Sequence, residues 1–343
     1  MAPSQLADCV RQYVAQKIIP LGAQEWAQLI FEPSKAWTEH CAQFLAALDQ
    51  CGLSPTKLSE YVRNEPYLLL PDAFECTDLP VTPQDWGPIP DMPATRAAQA
   101  AVVLVAGACG METVSYGAEN AGALFVNLVT LPGTGALPEK SQARMKGHTD
   151  AATFPFRGTR DPNFPRIAPA PDVVFLVGLR NVDFVPTVVM PLQSILQRLS
   201  SEDVRILKGP NMILSAQRTF VKGTQAALGE THVLDGAPVL HDGPEGAWVR
   251  YTHSQSLPFD EDDMTVVAAK KNFEAACLSV AEQVVLKPGD LLLVNNRKAL
   301  HGRSTVGPEV GGESRWLIRS YGLDCRQLAD DQRGSRKRHI LFP

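Results

Sequence analysis

The sequence has no Cys-x-x-Cys pair, no long apolar run and no excess of basic residues. Its seven cysteines are scattered and odd in number, which argues against a disulfide framework or a zinc ribbon and predicts reduced thiols in a cytoplasmic protein. The net charge of −5 offers no basic surface for nucleic acid. No apolar stretch reaches the length of a membrane span, and the N-terminal residues lack the basic start and apolar stretch of a secretory signal.

Nucleotide-binding motifs are also missing. The chain has no G-x-G-x-x-G or P-loop pattern, and its predicted strands do not alternate with helices, so we do not expect a parallel doubly wound sheet. The composition is that of a globular protein, with 45% apolar and 20% charged residues, and 343 residues suffice for a large core.

The chain divides into segments of different character, which we expect to form a single domain over 1–343. They are a helical N-terminal section (1–70), a proline-rich connection or lid (71–96), a β-rich core with inserted helices (97–325) and a charged tail (326–343). Within the first segment, Ser54 followed by Pro55 is typical of a helix start. The prolines after residue 70 predict an irregular, ordered stretch.

The core segment consists mainly of short β-rich runs separated by Gly, Pro, Asp and Asn. The runs are ALFVNLVTL, DVVFLVGLRN, PTVVM, DVRILKG, HVLDGAPVLHDG, GAWVRYTHS, DLLLVNN and SRWLIRSYGL. Helical patterns interrupt them at 191–200 and 267–285. Many short strands after a helical section predict a mainly β protein with flanking helices, built on a double-stranded β-helix (jelly-roll) core.

A candidate metal site comes from residues that are far apart in the sequence. His148 and Asp150, in MKGHTD, are two residues apart, so on a strand their side chains face the same way. His301 follows the apolar run DLLLVNN and precedes a glycine- and proline-rich loop. Two histidines and one carboxylate on one side of a metal are typical of non-haem Fe(II) oxygenases. From the triplet alone, ordinary polar residues on a strand remain the alternative.

Two arginines follow in SRWLIRSYG. On a strand, Arg315 and Arg319 would share one face with Leu317, whereas Trp316 and Ile318 would face the other side. Buried guanidinium groups need anionic partners, and no acidic pattern in the sequence is dedicated to these two. A dicarboxylate cosubstrate and a substrate carboxylate would satisfy both, since arginine suits bidentate pairing. A solvent-facing pair on an edge strand is the alternative.

In this order and spacing, GHTD, LHGRS and RWLIR resemble the Fe(II)/2-oxoglutarate-dependent oxygenases of the taurine-dioxygenase-like superfamily. The pattern is most similar to the clavaminate-synthase-like branch, which hydroxylates amino acids. The resemblance covers residues 110–325 and implies an enzyme that uses Fe(II), 2-oxoglutarate and O2. Its expected reaction is hydroxylation of an unactivated C–H of a free L-amino acid in specialised metabolism, such as antibiotic biosynthesis.

The resemblance also implies roles for individual residues. His148, Asp150 and His301 would bind iron and form the catalytic centre. Arg315 would pair with the distal carboxylate of 2-oxoglutarate, and Thr187, in VPTVVM, would support the same carboxylate.

Four further residues are implied to contact the substrate. Arg319 would bind the α-carboxylate of the amino acid, and Asn120 would lie near its α-amine. Arg250 and His253 lie in the segment where arginine- and ornithine-type enzymes carry acidic residues. Their basic character predicts a substrate with a neutral or acidic side chain, and an exposed strand is the alternative for this pair.

One departure from the branch concerns Asp150, because amino-acid hydroxylases of this group commonly have glutamate there. A carboxylate at this position argues against a halogenase, in which a small residue leaves room for chloride. It favours hydroxylation, or desaturation, epoxidation or ring closure. The segments 71–96 and 302–313 are candidate lids over the site, with plain surface connections as the alternative.

Other functions fit parts of the sequence. An oxygenase could act on an aminoacyl group tethered to a carrier protein, in which case Arg319 would lose its anionic partner. A barrel-type binding protein without catalysis is a second alternative. A zinc hydrolase on a cupin-like barrel is a third, but it leaves Arg315 and Arg319 unexplained. The expected binding partner is a small-molecule amino acid, and a carrier protein is expected only if the substrate is tethered. We expect no binding to nucleic acid or to a membrane.

Overall fold

The computed structural model describes residues 2–343 and consists of β-sheets with helices packed on their outer faces. The α-helices are α1 (Pro3–Tyr13), α2 (Ala23–Phe31), α3 (Pro33–Ala36), α4 (Thr38–Gln50), α5 (Pro55–Asn64), α6 (Pro93–Ala108), α7 (Ala136–Gln142), α8 (Leu192–Leu196), α9 (Ser201–Lys208), α10 (Arg218–Leu228) and α11 (Met264–Ser279). The strands are β1 (Tyr67–Leu70), β2 (Glu112–Tyr116), β3 (Val126–Val129), β4 (Met145–His148), β5 (Val173–Arg180), β6 (Thr187–Pro191), β7 (Met212–Ser215), β8 (Val233–Ala237), β9 (Leu240–Gly243), β10 (Gly246–Val249), β11 (Ser256–Pro258), β12 (Glu282–Val284), β13 (Leu291–Asn295), β14 (Ala299–Arg303), β15 (Trp316–Leu323) and β16 (Ile340–Leu341). A π-helical turn covers Val14–Ile18, and 3-10 turns cover Asn120–Gly122, Cys325–Gln327 and Asp330–Gln332.

Two of the sheets position the candidate site. In the larger sheet the strand order is β1-β13-β5-β15-β2-β16, with β3 also paired to β15. In the second sheet the order is β12-β6-β14-β4. Neighbouring strands in both are antiparallel, apart from the parallel pair β16 and β2. Smaller sheets, β11-β7-β8 and β10-β9, lie beside them.

Side-chain alternation along β5 and β15 shows how the layers pack. Phe175 of β5 and Trp316 and Ile318 of β15 belong to the cluster that includes the N-terminal helices and α6. Leu176 and Leu317 belong instead to a cluster that also contains residues of the second sheet. The two sheets therefore pack against each other across a shared interior. The alternation expected for SRWLIRSYG is confirmed.

The N-terminal helices cover the outer face of the larger sheet and share its core. Trp37, Phe44 and Leu48 are fully or almost fully buried in the same cluster as Phe175. The predicted start of α5 is confirmed, because the Ser54 side chain accepts a hydrogen bond from the Lys57 amide, at 3.4 Å. No helix in residues 2–343 is long and apolar enough to cross a membrane.

One predicted strand is wrong. The run DVRILKG lies mainly in helix α9, not in a strand. Ser200 and Asp203 form a capping box at the start of this helix, and Ile206 and Leu207 are buried. The cap sets a helix where the apolar pattern alone was ambiguous.

The proline-rich stretch has no helix or regular strand between residues 71 and 92, as expected. It is tied to the loop after β14, because the Thr82 amide donates to the Gly312 carbonyl and its hydroxyl donates to the Ser314 carbonyl, each at 2.8 Å. Arg180 also donates to carbonyls on both segments. The two candidate lids thus hold each other in place.

Candidate metal centre and substrate site

Two histidines lie side by side on adjacent strands of the second sheet. His148 ends β4 and is paired in register with His301 on β14, and the ring centroids are 4.4 Å apart. On the other side of His301, Val189 of β6 is in register and belongs to the cluster between the sheets. Because paired residues point to the same face, both imidazoles face the shared interior.

Asp150 lies in the turn that follows β4. The Asn296 side chain accepts from the Asp150 amide at 2.8 Å and donates to its carbonyl at 3.0 Å. Ala151, the next residue, has a positive φ of 53°, a conformation that an alanine keeps only where its surroundings impose it. This reciprocal pair with Asn296 fixes the direction in which the carboxylate leaves the turn.

The three side chains converge within the described structure. One ligand atom from each of His148, Asp150 and His301 can be chosen so that all lie within 4.8 Å of one another. The Asp150 carboxylate is 3.7 Å from Nε2 of His148 and 3.4 Å from Nε2 of His301. The residues are 6%, 4% and 7% exposed, in chain order, so the group is withdrawn from bulk water.

The protonation states of these groups suit a cation. Burial, with the neighbouring His301, lowers the pKa of His148 to about 3, so its imidazole is neutral at pH 7. Nδ1 of His148 lies 3.2 Å from the Lys146 carbonyl, which directs Nε2 towards the carboxylate. Burial alone would raise the pKa of Asp150, but the nearby His301, His148 and Arg319 lower that pKa below its ordinary value.

A divalent metal fits this donor set. Two neutral imidazole nitrogens and one carboxylate are the ligands of the two-histidine, one-carboxylate iron sites. One carboxylate oxygen of Asp150, Oδ2, is buried without a hydrogen-bond donor among the described residues. A metal would supply the positive charge that this oxygen lacks.

Arg315 lies just before β15 and is 5% exposed. Its Nε has no hydrogen-bond partner, and no carboxylate in residues 2–343 pairs with its guanidinium. Burial, with the charge of Arg303, lowers its pKa to about 9, which still leaves it charged at pH 7. Arg303 lies two residues after His301 and is in register with Thr187, which is buried on the same face of β6 as Val189. Thr187 and Arg315 therefore face the interior that holds the histidines.

Arg319, in contrast, has a protein partner. Its Nη2 donates to Oε2 of Glu119 at 2.7 Å, and the Tyr321 hydroxyl donates to the same oxygen at 2.9 Å. Burial opposes the charged form, but the charge of Glu119 raises the pKa of Arg319 overall. The expectation that no acidic residue serves this arginine is wrong, because the partner lies 200 residues away along the chain.

Sequence reasoning missed Glu119 and selected its neighbour Asn120. Glu119 is 3% exposed, and its second oxygen, Oε1, is buried without a donor among the described residues. Asn120 is half-buried at the start of a 3-10 turn and has a positive φ of 48°. The sequence does contain a signal for Glu119, because this carboxylate is next to Asn120, the residue predicted to lie near the α-amine. An ammonium group pairs better with a carboxylate than with an amide.

The structure places the other two predicted substrate residues apart from the metal cluster. Nδ1 of His253 is 2.6 Å from the Gly147 carbonyl, and its ring lies near the side of Gly147 that faces away from His148. Arg250 donates to the Pro238 carbonyl and stacks over Phe156 at 4.9 Å. Burial lowers the pKa of Arg250 to about 10. Neither contact reaches the three ligand side chains.

Helix α10, which the sequence did not predict, packs against the turn that carries Asp150. Gln217, at its N-terminus, donates to the Thr149 carbonyl at 3.1 Å and accepts from the Ala151 amide at 3.0 Å. Phe220 packs against Tyr116 and Phe154, with ring centroids 5.9 and 5.3 Å away. Gln217 therefore connects helix α10 to the residues on either side of Asp150, so the position of the helix affects the position of the Asp150 carboxylate.

Gly223→Ala should push helix α10 away from the main chain of Ala118. A Cβ at this position would lie 2.1 Å from the Ala118 carbonyl oxygen and 2.3 Å from the Ala118 Cα. Alanine in a helix is favoured over glycine by about 1 kcal/mol. Overlap with main-chain atoms outweighs this, and we expect a net loss of about 1–3 kcal/mol of stability. Thermal unfolding measures it, with exposed Lys222→Ala on the same helix as the control. A variant as stable as the wild type would show that the helix does not sit this close.

Several known proteins are similar to this chain. No protein-family model matches the chain. The L-lysine 3-hydroxylase of Catenulispora acidiphila is 27% identical over 317 residues, which cover 88% of this chain and 78% of the relative. The L-asparagine oxygenase of Streptomyces coelicolor is 27% identical over 252 residues, or 71% of this chain and 67% of the relative.

The predicted resemblance is confirmed: this chain is a homologue of the amino-acid oxygenases. Solved structures share its fold over nearly the whole length. An asparagine oxygenase in complex with Fe(II), 2S,3S-3-hydroxyasparagine and succinate has a TM-score of 0.75 and 21% identity, covering 100% of this chain and 98% of its own. The non-heme iron oxygenase OrfP, in complex with Fe, succinate and (3R,4R)-dihydroxy-L-Arg, has a TM-score of 0.71 and 20% identity, covering 99% and 98%.

Proposed function

We propose that this amino-acid oxygenase homologue is an Fe(II)/2-oxoglutarate-dependent dioxygenase that hydroxylates a C–H of a free L-amino acid. The iron ligands are His148, Asp150 and His301. Arg315 and Thr187 hold the distal carboxylate of 2-oxoglutarate. The antiparallel sheets that enclose these residues form a double-stranded β-helix core, and the whole chain acts as one domain because its N-terminal helices share a core with the larger sheet.

One observation carries the proposal. A buried cluster of two histidines and an aspartate shares its interior with a buried guanidinium that has no carboxylate partner in the described structure. An uncompensated buried charge is strongly unfavourable unless a ligand neutralises it. A dicarboxylate bound to the metal at one end and to Arg315 at the other satisfies both features. A zinc hydrolase or a barrel-type binding protein would not explain why the guanidinium of Arg315 is buried without a carboxylate partner. Neither function would explain the similarity to amino-acid oxygenases.

The bound iron and 2-oxoglutarate supply the oxidising chemistry with O2, and the protein supplies position. His148 presents a neutral nitrogen beside the imidazole of His301, and Asp150 is held by its backbone bonds to Asn296. Arg319 and Glu119 form a paired cation and anion at the larger sheet, facing the same interior. An amino acid that displaced part of this contact would place its α-carboxylate on Arg319 and its α-amine on the free oxygen of Glu119.

This arrangement supports a free amino acid over one tethered to a carrier protein. A thioester would remove the α-carboxylate that we propose Arg319 binds, and Arg319 would then keep only its partner Glu119. The seven cysteines are all free, which supports a cytoplasmic enzyme. The three ligand residues are 4–7% exposed, so the surrounding protein keeps most bulk water away from the cluster.

A panel of free L-amino acids tests the function. The purified enzyme, Fe(II) and 2-oxoglutarate are incubated in air with each amino acid, and succinate and the hydroxylated product are measured. We expect succinate formation coupled to product with one class of amino acid and little without it. If no amino acid in the panel, free or tethered as a carrier-protein thioester, stimulates succinate formation, the proposed function fails. Stimulation by the thioester alone would favour the tethered alternative.

A further inference from the structure

Arg315, the proposed clamp for 2-oxoglutarate, lies between two residues that are tied to the proline-rich segment 71–96. Ser314 precedes it in the loop after β14, and Trp316 follows it as the first residue of β15. Both neighbours are buried. Because planar peptide groups join Arg315 to these two residues, the way they are held sets the direction in which its side chain leaves the main chain.

Thr82 holds the residue before the clamp. Its hydroxyl donates to the Ser314 carbonyl at 2.8 Å, and its amide donates to the Gly312 carbonyl at the same distance. Arg180, the last residue of β5, donates to that hydroxyl at 2.7 Å. A hydroxyl that accepts from a guanidinium is polarised and becomes a stronger donor. Thr82 is 1% exposed and Arg180 is also buried, so this chain of hydrogen bonds is closed to bulk water.

Asn127 of β3 holds the residue after the clamp and binds the same proline-rich segment. Its side-chain oxygen accepts from Nε1 of Trp316 at 2.8 Å. Its side-chain nitrogen and its amide donate to main-chain carbonyls within residues 85–88, at 2.8–3.3 Å. The proline-rich segment is therefore joined to Arg315 from both sides.

We propose that residues 80–88 brace the 2-oxoglutarate clamp, and that Thr82 is the positioning residue on its N-terminal side. This inference rests on the proposed function and assigns a role in cosubstrate binding to the proline-rich segment. A guanidinium that is already held in one direction pairs with a carboxylate without first losing the freedom of its main chain. Without the Thr82 hydroxyl, the Ser314 carbonyl would lose this donor, and the peptide group before Arg315 would be held less firmly.

Thr82→Val tests the brace, because valine has nearly the shape of threonine and lacks the hydroxyl. The amide of residue 82 keeps its bond to Gly312. Calorimetry on the anaerobic Fe(II) protein should show the dissociation constant of 2-oxoglutarate rising about tenfold. The affinity for Fe(II) itself should change by less than about twofold, since the iron ligands lie on other elements. In steady-state assays the KM for 2-oxoglutarate should rise, and kcat at saturating 2-oxoglutarate should stay within about twofold of the wild type.

Two further variants separate the hydroxyl from general packing. Thr82→Ser restores the hydroxyl and should bring the affinity for 2-oxoglutarate back to within about threefold of the wild type. Thr38→Val removes a hydroxyl that donates to the Lys35 carbonyl at 2.9 Å in the N-terminal helical layer, and it should leave this affinity unchanged.

Three results would overturn the inference. The first is a Thr82→Val protein that binds 2-oxoglutarate as tightly as the wild type. The second is an equal loss of affinity in the serine and valine variants, since the methyl group and not the hydroxyl would then matter. The third is a parallel loss of Fe(II) binding in Thr82→Val, which would show a general loss of structure.

Failure of this inference can be told from failure of the function itself. If the wild type binds 2-oxoglutarate at iron and Thr82→Val does not weaken that binding, the brace is wrong and the proposed function stands. If the wild-type Fe(II) protein does not bind 2-oxoglutarate, the proposed function is wrong and the inference falls with it.

Discussion

Arg315→Met is expected to weaken 2-oxoglutarate binding by about a hundredfold or more, because removing one partner of a buried ion pair costs about 3–5 kcal/mol. The same change should leave the ligand-free protein as stable as the wild type or more stable. In that state the guanidinium is buried without a carboxylate partner among the described residues, and methionine replaces it with an apolar chain of similar length. Opposite effects on ligand binding and on ligand-free stability distinguish a ligand clamp from a structural arginine.

Two measurements check this prediction. Calorimetry with Fe(II) and 2-oxoglutarate gives the change in affinity, and thermal unfolding without ligands gives the change in stability. Arg198→Met, at an exposed arginine outside the site, serves as the control and should alter neither. If Arg315→Met keeps the wild-type affinity for 2-oxoglutarate, or unfolds the ligand-free protein, Arg315 is not the clamp.

The second large effect is expected from His301→Ala. Loss of a residue that only supports a metal ligand costs about 10–100-fold in metal affinity, so loss of a ligand should cost about a hundredfold or more. Succinate formation should fall to the level without enzyme, because 2-oxoglutarate would no longer be held against iron. Fe(II) binding by equilibrium dialysis and succinate formation are the readouts.

His40→Ala is the matched histidine control, since His40 is half-buried on α4 in the N-terminal helical layer. It should leave iron binding unchanged. His301→Ala should keep a cooperative unfolding transition, because the paired main chains of β14 and β6 do not depend on the imidazole. A His301→Ala protein that binds iron as tightly as the wild type would remove this residue from the ligand set.

The sequence predicts those parts of the site that follow from local geometry. Side chains two apart on a strand face one way, so the inward direction of Leu317 and the opposite direction of Trp316 could be expected from SRWLIRSYG. The pairing of His148 with His301 could not, because 153 positions separate them. The resemblance to known oxygenases, and not the spacing, predicts that these two histidines come together.

Other features depend on contacts that leave no local pattern. Glu119 meets Arg319 across 200 residues, and Asn296 holds Asp150 across 146. The short apolar run of DVRILKG fits the period of a strand or a helix, and the capping box at Ser200 and Asp203 favours helix α9.

We propose that His148, Asp150 and His301 hold one Fe(II) beside a 2-oxoglutarate clamped by Arg315. An anaerobic titration of the wild-type protein with Fe(II) and then 2-oxoglutarate tests it most directly. We expect a visible charge-transfer band that saturates at one 2-oxoglutarate per iron and is missing in His301→Ala. Stoichiometric iron binding with no such band at saturating 2-oxoglutarate would contradict it.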